Sequence, residues 1–182
     1  MTTKSLKKDH DLIEKVLKSM QATIQLLNDG KKIPESILMP VVDFSKNFTI
    51  VCHHGKEEES LFPALERAGM PRRMGPIAVM LMEHEETKKI TNKMEISSQK
   101  YLKTGDAAEL ISDMQQYVEH VTQHLWKENN RLFMMADMRL QGHSDEIEND
   151  LEKTEESKLD EIGNNREHYE KLAEELSQKT TS

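Results

Sequence analysis

Residues 48–65 read FTIVCHHGKEEESLFPAL. At the 3.6-residue repeat of an α-helix, Phe48, Val51, His54, Glu58 and Phe62 fall on one ladder, so an imidazole and a carboxylate one turn apart interrupt an apolar stripe. A stripe this long is a helix. The polar pair on its inner face then needs a cause, because a buried carboxylate must find a counter-charge or take up a proton.

The pattern returns on both sides of this stretch. Upstream, Leu6, Ile13, Leu17, Met20, Ile24 and Leu27 recur at three- and four-residue steps until Asn28-Asp29-Gly30, with His10 between Leu6 and Ile13. The central stretch opens at Pro34, which a first helical turn tolerates, and continues through Ile37, Val41 and Phe44 to Leu65 and Gly69. Pro63 is expected to kink or loosen its last turns, since it cannot donate to the carbonyl four residues back. A third stripe follows Gly75-Pro76 with Ile77, Leu81, Met94 and Tyr101, carries His84 on the same face, and closes at Thr104-Gly105. Asp106 can cap the fourth, which runs through Leu110, Met114, Tyr117, Val121, Leu132 and Met135 and repeats the H-x-x-x-E spacing with His124 and Glu128. The linkers are short, so consecutive helices are expected to be antiparallel neighbours. The expected fold is all-α: an up-down-up-down four-helix bundle.

Charge divides the chain. Residues 1–142 carry 20 acidic and 20 basic side chains, whereas residues 143–182 carry 13 and 5, so the whole net charge of −8 sits after Gly142. This predicts a bundle over 1–142 and an acidic helical tail over 143–182. In the tail, Ile147, Leu151, Leu159 and Ile162 share one helical face, Gly163-Asn164-Asn165 breaks it, and Tyr169, Leu172 and Leu176 continue it. Two short helices are expected, with an apolar edge that docks on the bundle or on a partner and a solvated charged face.

An acidic chain with pI near 5.5 is not built to grip phosphate backbones or anionic membranes. No apolar run approaches the roughly 20 residues that span a bilayer, and the start MTTKSLKKDH has no apolar signal core. A cytoplasmic protein with no nucleic-acid or membrane partner is expected. Cys52 is the single cysteine, so chemistry here rests on nitrogen and oxygen ligands.

The candidates are therefore His10, His54, Glu58, His84, His124 and Glu128, drawn from four helices. Taken singly, a core histidine is ordinarily a hydrogen-bonded packing residue, and an H-x-x-x-E pair is ordinarily a surface ion pair. Six such groups on inward faces share one explanation, a bound cation. Imidazole and carboxylate without thiolate suit iron, manganese or zinc, and two bridging carboxylates fit two metals better than one. The ferritin-like arrangement differs: it uses Glu-x-x-His pairs, and none lies on these stripes.

The segments CHHGKEE (52–58), LFP (61–63), EHE (83–85), HLWKE (124–128), LF (132–133) and MAD (135–137) together resemble the signature of hemerythrin-like proteins, the HHE cation-binding domain family. The resemblance covers roughly residues 5–140. It implies a bundle holding two non-haem iron ions, carboxylate-bridged with a bridging oxo, hydroxo or water. Carried over position by position, it makes His10, His54, Glu58, His84, His124 and Glu128 the metal ligands, with Glu58 and Glu128 bridging. Oxygen carriers of the family have a further histidine where this chain has Lys88. The resemblance is thus to the non-carrier branch with four ligand histidines, and a neutral lysine amine, a water or His120 would complete the set. Other residues take plainer readings: His53 solvated beside the ligand, Glu57 and Glu85 as helix-surface charges, Cys52 as a small core group, Tyr117 as packing and the methionines as adaptable filler.

Three functions follow as expectations. The first is a di-iron protein that binds a small diatomic or peroxide ligand, such as oxygen, nitric oxide or peroxide, for sensing, scavenging or redox work. The second is an oxidase or peroxidase-like enzyme. The third is iron storage or delivery.

Overall fold

Apolar residues recurring every three or four positions do produce helices here. In the computed structural model, which describes residues 1–181, every regular element is helical. Helix α1 is Lys4–Asn28. Helix α2 (35–67) passes without a break through Glu35–Asp43, Phe44–His54, Glu57–Leu61 and Phe62–Arg67. Helix α3 is Pro76–Thr104, and α4 (108–139) joins Ala108–Lys127, Glu128–Leu132 and Phe133–Arg139. Two further helices follow Gly142: α5, Ser144–Glu161, and α6, Arg166–Thr181.

The middle of α2 and one turn of α4 are π-helical. Their turns close by i→i+5 bonds and so take more residues than α turns, which changes which side chains face inward. Along α2 buried residues run as pairs four apart, Phe44 and Ser45, Phe48 and Thr49, Cys52 and His53, Lys56 and Glu57, Ser60 and Leu61, Ala64 and Leu65, with His54 and Phe62 buried beside them. Pro63, expected to disturb this helix, lies at the start of the α segment where the π turns end. The residue that cannot donate sits where the bonding pattern switches.

Helix α3 packs on α4 and α2, and α1 packs on α4, completing a helical bundle. Helices α5 and α6 lie against α1 and α2, burying Ile147, Leu151, Leu159, Tyr169 and Leu176. The apolar edge of the tail is thus covered by the bundle itself. At the far end of α3, Gly105 adopts φ 76° and its N–H donates to the Tyr101 carbonyl. The Tyr101 hydroxyl accepts from the Ile33 N–H at 2.9 Å, tying the α1–α2 turn to α3.

The core is divided. One apolar cluster includes Ile13, Met20, Phe48, Cys52, Ile90, Met94, Tyr117, Val121 and Leu125; the other includes Leu6, Leu61, Phe62, Leu65, Ile77, Met80, Leu132 and Phe133. Between them, every bundle helix switches to polar side chains: His10 in α1, His53, His54, Lys56 and Glu57 in α2, His84 in α3, and His124 with Glu128 in α4. Each fully buried phenylalanine stabilises the fold by about 1.5–3 kcal/mol. The layer between the clusters has the opposite tendency unless something satisfies it.

Candidate metal centre

Five imidazoles and two carboxylates fill this layer. His10, His53, His54, Glu57, His84, His124 and Glu128 are all at most 2% exposed. Two overlapping sets of donor atoms emerge, each within 4.8 Å internally: His10, His53, Glu57 and Glu128, and then Glu57, His84, His124 and Glu128. His54 joins the second side through a third set with His84 and His124. Glu57 and Glu128 are common to both halves.

The carboxylate oxygens come close to the rings. Glu128 Oε2 lies 3.1 Å from His10 Nε2, its Oε1 lies 3.0 Å from His124 Nε2, and Glu57 Oε2 lies 3.2 Å from His84 Nε2. None of these contacts has hydrogen-bond geometry. Both oxygens of Glu57 and of Glu128, Nε2 of His10, His53, His84 and His124, and Nδ1 of His54 are buried with no hydrogen-bond partner. Buried polar atoms are nearly always paired, so this concentration of orphans is a donor set that a bound cation would satisfy.

The opposite ring nitrogens are tied down. His10 Nδ1 donates to Asn129 Oδ1 at 2.9 Å, His53 Nδ1 to Asp9 Oδ2 at 3.2 Å, His84 Nδ1 to Glu58 Oε1 at 2.7 Å and His124 Nδ1 to Glu83 Oε2 at 2.8 Å. Each bond fixes the tautomer with its Nε2 lone pair facing the centre, the arrangement of metal-ligating histidine. The His54 Nδ1 is instead buried without a partner, and the ring stacks on His84 at 3.7 Å. On the other side the His10 and His53 rings meet at 4.9 Å.

Electrostatics set His54 apart from the other shifted rings, since for His84 too burial is outweighed, by Glu128, Glu57 and Glu58, and the ring is raised well above its usual value. Burial opposes charge on His53, but Glu57, Asp9 and Glu128 outweigh it and raise the ring to about 10. His124 is raised to about 9, burial being overcome by Glu128 and Glu83. His54 moves the other way, pushed well below its usual value by burial and by His84 and His124. The Glu128 carboxyl is held far below the carboxylate range despite burial, by His124, His10 and His53. Burial raises the Glu83 carboxyl, but bonds from His124 and Lys127 outweigh that and bring it down to about 2. Carboxylate oxygens beside imidazole nitrogens that give up their protons on metal binding constitute a donor set for a hard or borderline cation, and Cys52 contributes nothing to it, its thiol being pushed up to about 12 by burial.

Of the expected residues, the structure brings together His10, His54, His84, His124 and Glu128. It does not bring in Glu58, whose side chain is 32% exposed and whose carboxylate backs His84 from outside. Glu57, read from the sequence as a surface charge, is the buried carboxylate, and His53, read as solvated, is fully buried. The wide turns of α2 explain both corrections: a strict 3.6 repeat selects residues 54 and 58, whereas the four-residue spacing turns 53 and 57 inward while His54 still reaches α3. The doubled His53-His54 and Glu57-Glu58 was the available signal, since it offers two H-x-x-x-E pairs in adjacent registers.

Of the groups expected to complete the set, the two side chains, Lys88 and His120, do not reach the centre. Lys88 is 42% exposed and pairs with Glu85. His120 Nε2 donates to the Glu83 carbonyl at 3.0 Å, bracing the residue that holds His124. The imidazole beside His84 and His124 is His54. Tyr117 belongs to the large apolar cluster, beside Ser45 and Thr49.

Comparison with curated proteins and with solved structures returns no match. The sequence model described as the hemerythrin HHE cation binding domain does match, over residues 1–136. That span contains every residue of the buried cluster, and no helix among the described residues is long and apolar enough to cross a membrane. The chain belongs to the hemerythrin HHE cation-binding domain family.

Proposed function

We propose that the buried layer holds two non-haem iron ions and that the protein binds a small diatomic or peroxide ligand there. The observation that carries this reading is the set of unpartnered buried donors, in two halves that share Glu57 and Glu128. His54, His84 and His124 would hold one ion, His10 and His53 the other, and the two carboxylates would bridge. In this reading His53 joins the four histidines expected from the sequence, giving a three-plus-two division in which His54 stands beside His84 and His124. When bound, the pair of ions supplies reversible electron transfer and open coordination toward oxygen, nitric oxide or peroxide.

The chain's own contribution is positioning and exclusion. The outward bonds from Nδ1 orient four of the rings. The Phe133 ring stacks on His10 at 5.0 Å and the Phe62 ring on His84 at 5.8 Å, so the layer is walled by apolar rings that keep bulk water and large substrates away. Complete burial favours resident metal over cargo released on demand, and so favours ligand binding over storage or delivery. The alternating up-down-up-down order belongs to this reading. It is supported by the smaller apolar cluster, which gathers Leu6 from the start of α1, Leu61 and Leu65 from late in α2, Ile77 from the start of α3 and Leu132 from late in α4.

Metal analysis of the purified protein with optical spectra in both redox states tests the proposal. Two irons per chain and a stable adduct of the reduced protein with oxygen or nitric oxide are expected. Sustained turnover of peroxide with no stable adduct would make the protein an enzyme instead, and a chain that takes up no iron would defeat the reading.

A further inference from the structure

The tail does more than cover α1 and α2. Lys56, on α2, is fully buried, and its Nζ donates to Ser5 Oγ at 2.6 Å, Asp9 Oδ2 at 2.8 Å and Glu155 Oε2 at 2.6 Å. Arg166, the first residue of α6, donates through Nη1 to Asp9 Oδ1 at 2.7 Å and to Glu155 Oε2 at 3.0 Å. Its guanidinium also lies 5.8 Å from the Phe48 ring centre, which limits its movement. Two cations and two carboxylates thus form a quartet, half of it supplied by residues beyond Gly142, and Arg166 Nε reaches on to Glu170 at 3.0 Å. One member faces the metal layer: Asp9 Oδ2 accepts from His53 Nδ1.

We propose that the C-terminal helices position His53: Arg166 and Glu155 lock the Asp9 carboxylate, and Asp9 in turn fixes the ring that serves the His10 side of the centre. This rests on the two-metal reading. The geometry gives the reason for a division of labour between the two oxygens of Asp9. Arg166 occupies Oδ1, leaving Oδ2 oriented toward His53 and Lys56; without Arg166 the carboxylate is held at Oδ2 alone, by Lys56 and His53, and the acceptor of the ring is less rigidly oriented. His84 and His124 are braced by Glu58 and Glu83 instead, neither of which touches the tail quartet. Control by the tail is therefore confined to one half of the site.

Cobalt(II) titration of the full chain, followed by visible absorbance, separates the two halves. The unmodified protein is expected to take two equivalents. In Arg166→Gln the first equivalent is expected to bind as before and the second to weaken by roughly 10–100-fold, the usual consequence of losing a partner that orients a ligand. Arg166→Lys, which restores a cation, is expected to recover most of that loss, and Glu155→Gln gives an independent second disruption. Wild-type affinity for both equivalents in Arg166→Gln and Glu155→Gln would overturn the proposal. Equal weakening of both equivalents in step with thermal stability would also overturn it, reducing the quartet to a docking contact. A full chain that binds no cobalt would instead defeat the metal reading on which it stands.

Discussion

His53 and His54 are adjacent in the chain yet serve opposite halves of the buried layer: the His53 ring meets His10 at 4.9 Å, whereas the His54 ring stacks on His84 at 3.7 Å. Successive residues of an α-helix diverge by about 100°, so two neighbours on the inward side need a local widening of the helix, and the π turns of α2 supply it. One imidazole for each half of the layer, from a single point on one helix, makes the two substitutions separable. His53→Ala is expected to lose the ion on the His10 side and His54→Ala the ion on the His84 side. Each should weaken its own ion by more than the roughly 10–100-fold typical of an outer partner. Metal titration with a histidine-sensitive spectrum checks this, and identical effects from both variants would contradict the division.

The glutamates provide a sharper contrast. Glu57→Gln is expected to abolish binding of both ions, because its oxygens belong to both halves, while Glu58→Gln should retain two ions with affinity lowered about 10–100-fold through loss of the acceptor for His84 Nδ1. Metal content by elemental analysis after desalting decides between them. The reverse order of severity would restore Glu58 as the bridge.

Metal should also hold the fold together. The buried donors repel or lie unsatisfied without a cation, so removal by a chelator is expected to lower thermal stability. An ion present at about 1,000 times its dissociation constant contributes roughly 4 kcal/mol, which in a domain of this size corresponds to about 10 °C in Tm. Calorimetry of loaded and chelated protein measures it, with refilling expected to reverse the shift.

Cys52 tests the packing of α2 independently of metal. Its thiol is fully buried and pushed up to about 12 by burial, with Asp9 adding to the effect. Only the thiolate alkylates readily, and its fraction grows with pH only as the pH nears that raised value. Iodoacetamide at pH 8 is therefore expected to leave the folded protein unmodified and to label it fully in denaturant, where the ordinary thiol pKa returns. Rapid labelling of the folded chain would show that this stretch of α2 opens to solvent.

The sequence by itself determined the helices, their order and the polar interruption in each stripe. His10, His84, His124 and Glu128 are legible because α1, α3 and α4 as far as Lys127 keep the 3.6 repeat, and Glu128 follows directly, so a gap in the apolar ladder points inward. In α2 that rule failed at the decisive place. Whether residue 57 or 58 faces the core depends on hydrogen bonds that close i→i+5 instead of i→i+4, and both carboxylates carry the same local signal. Only packing against the other helices selects between them. The tail shows the same limit at longer range: its apolar edge was readable, but nothing local connects Arg166 to Asp9, 157 residues away. Periodicity reports which face of a segment avoids water, whereas the partners that meet across that face are decided when the helices come together.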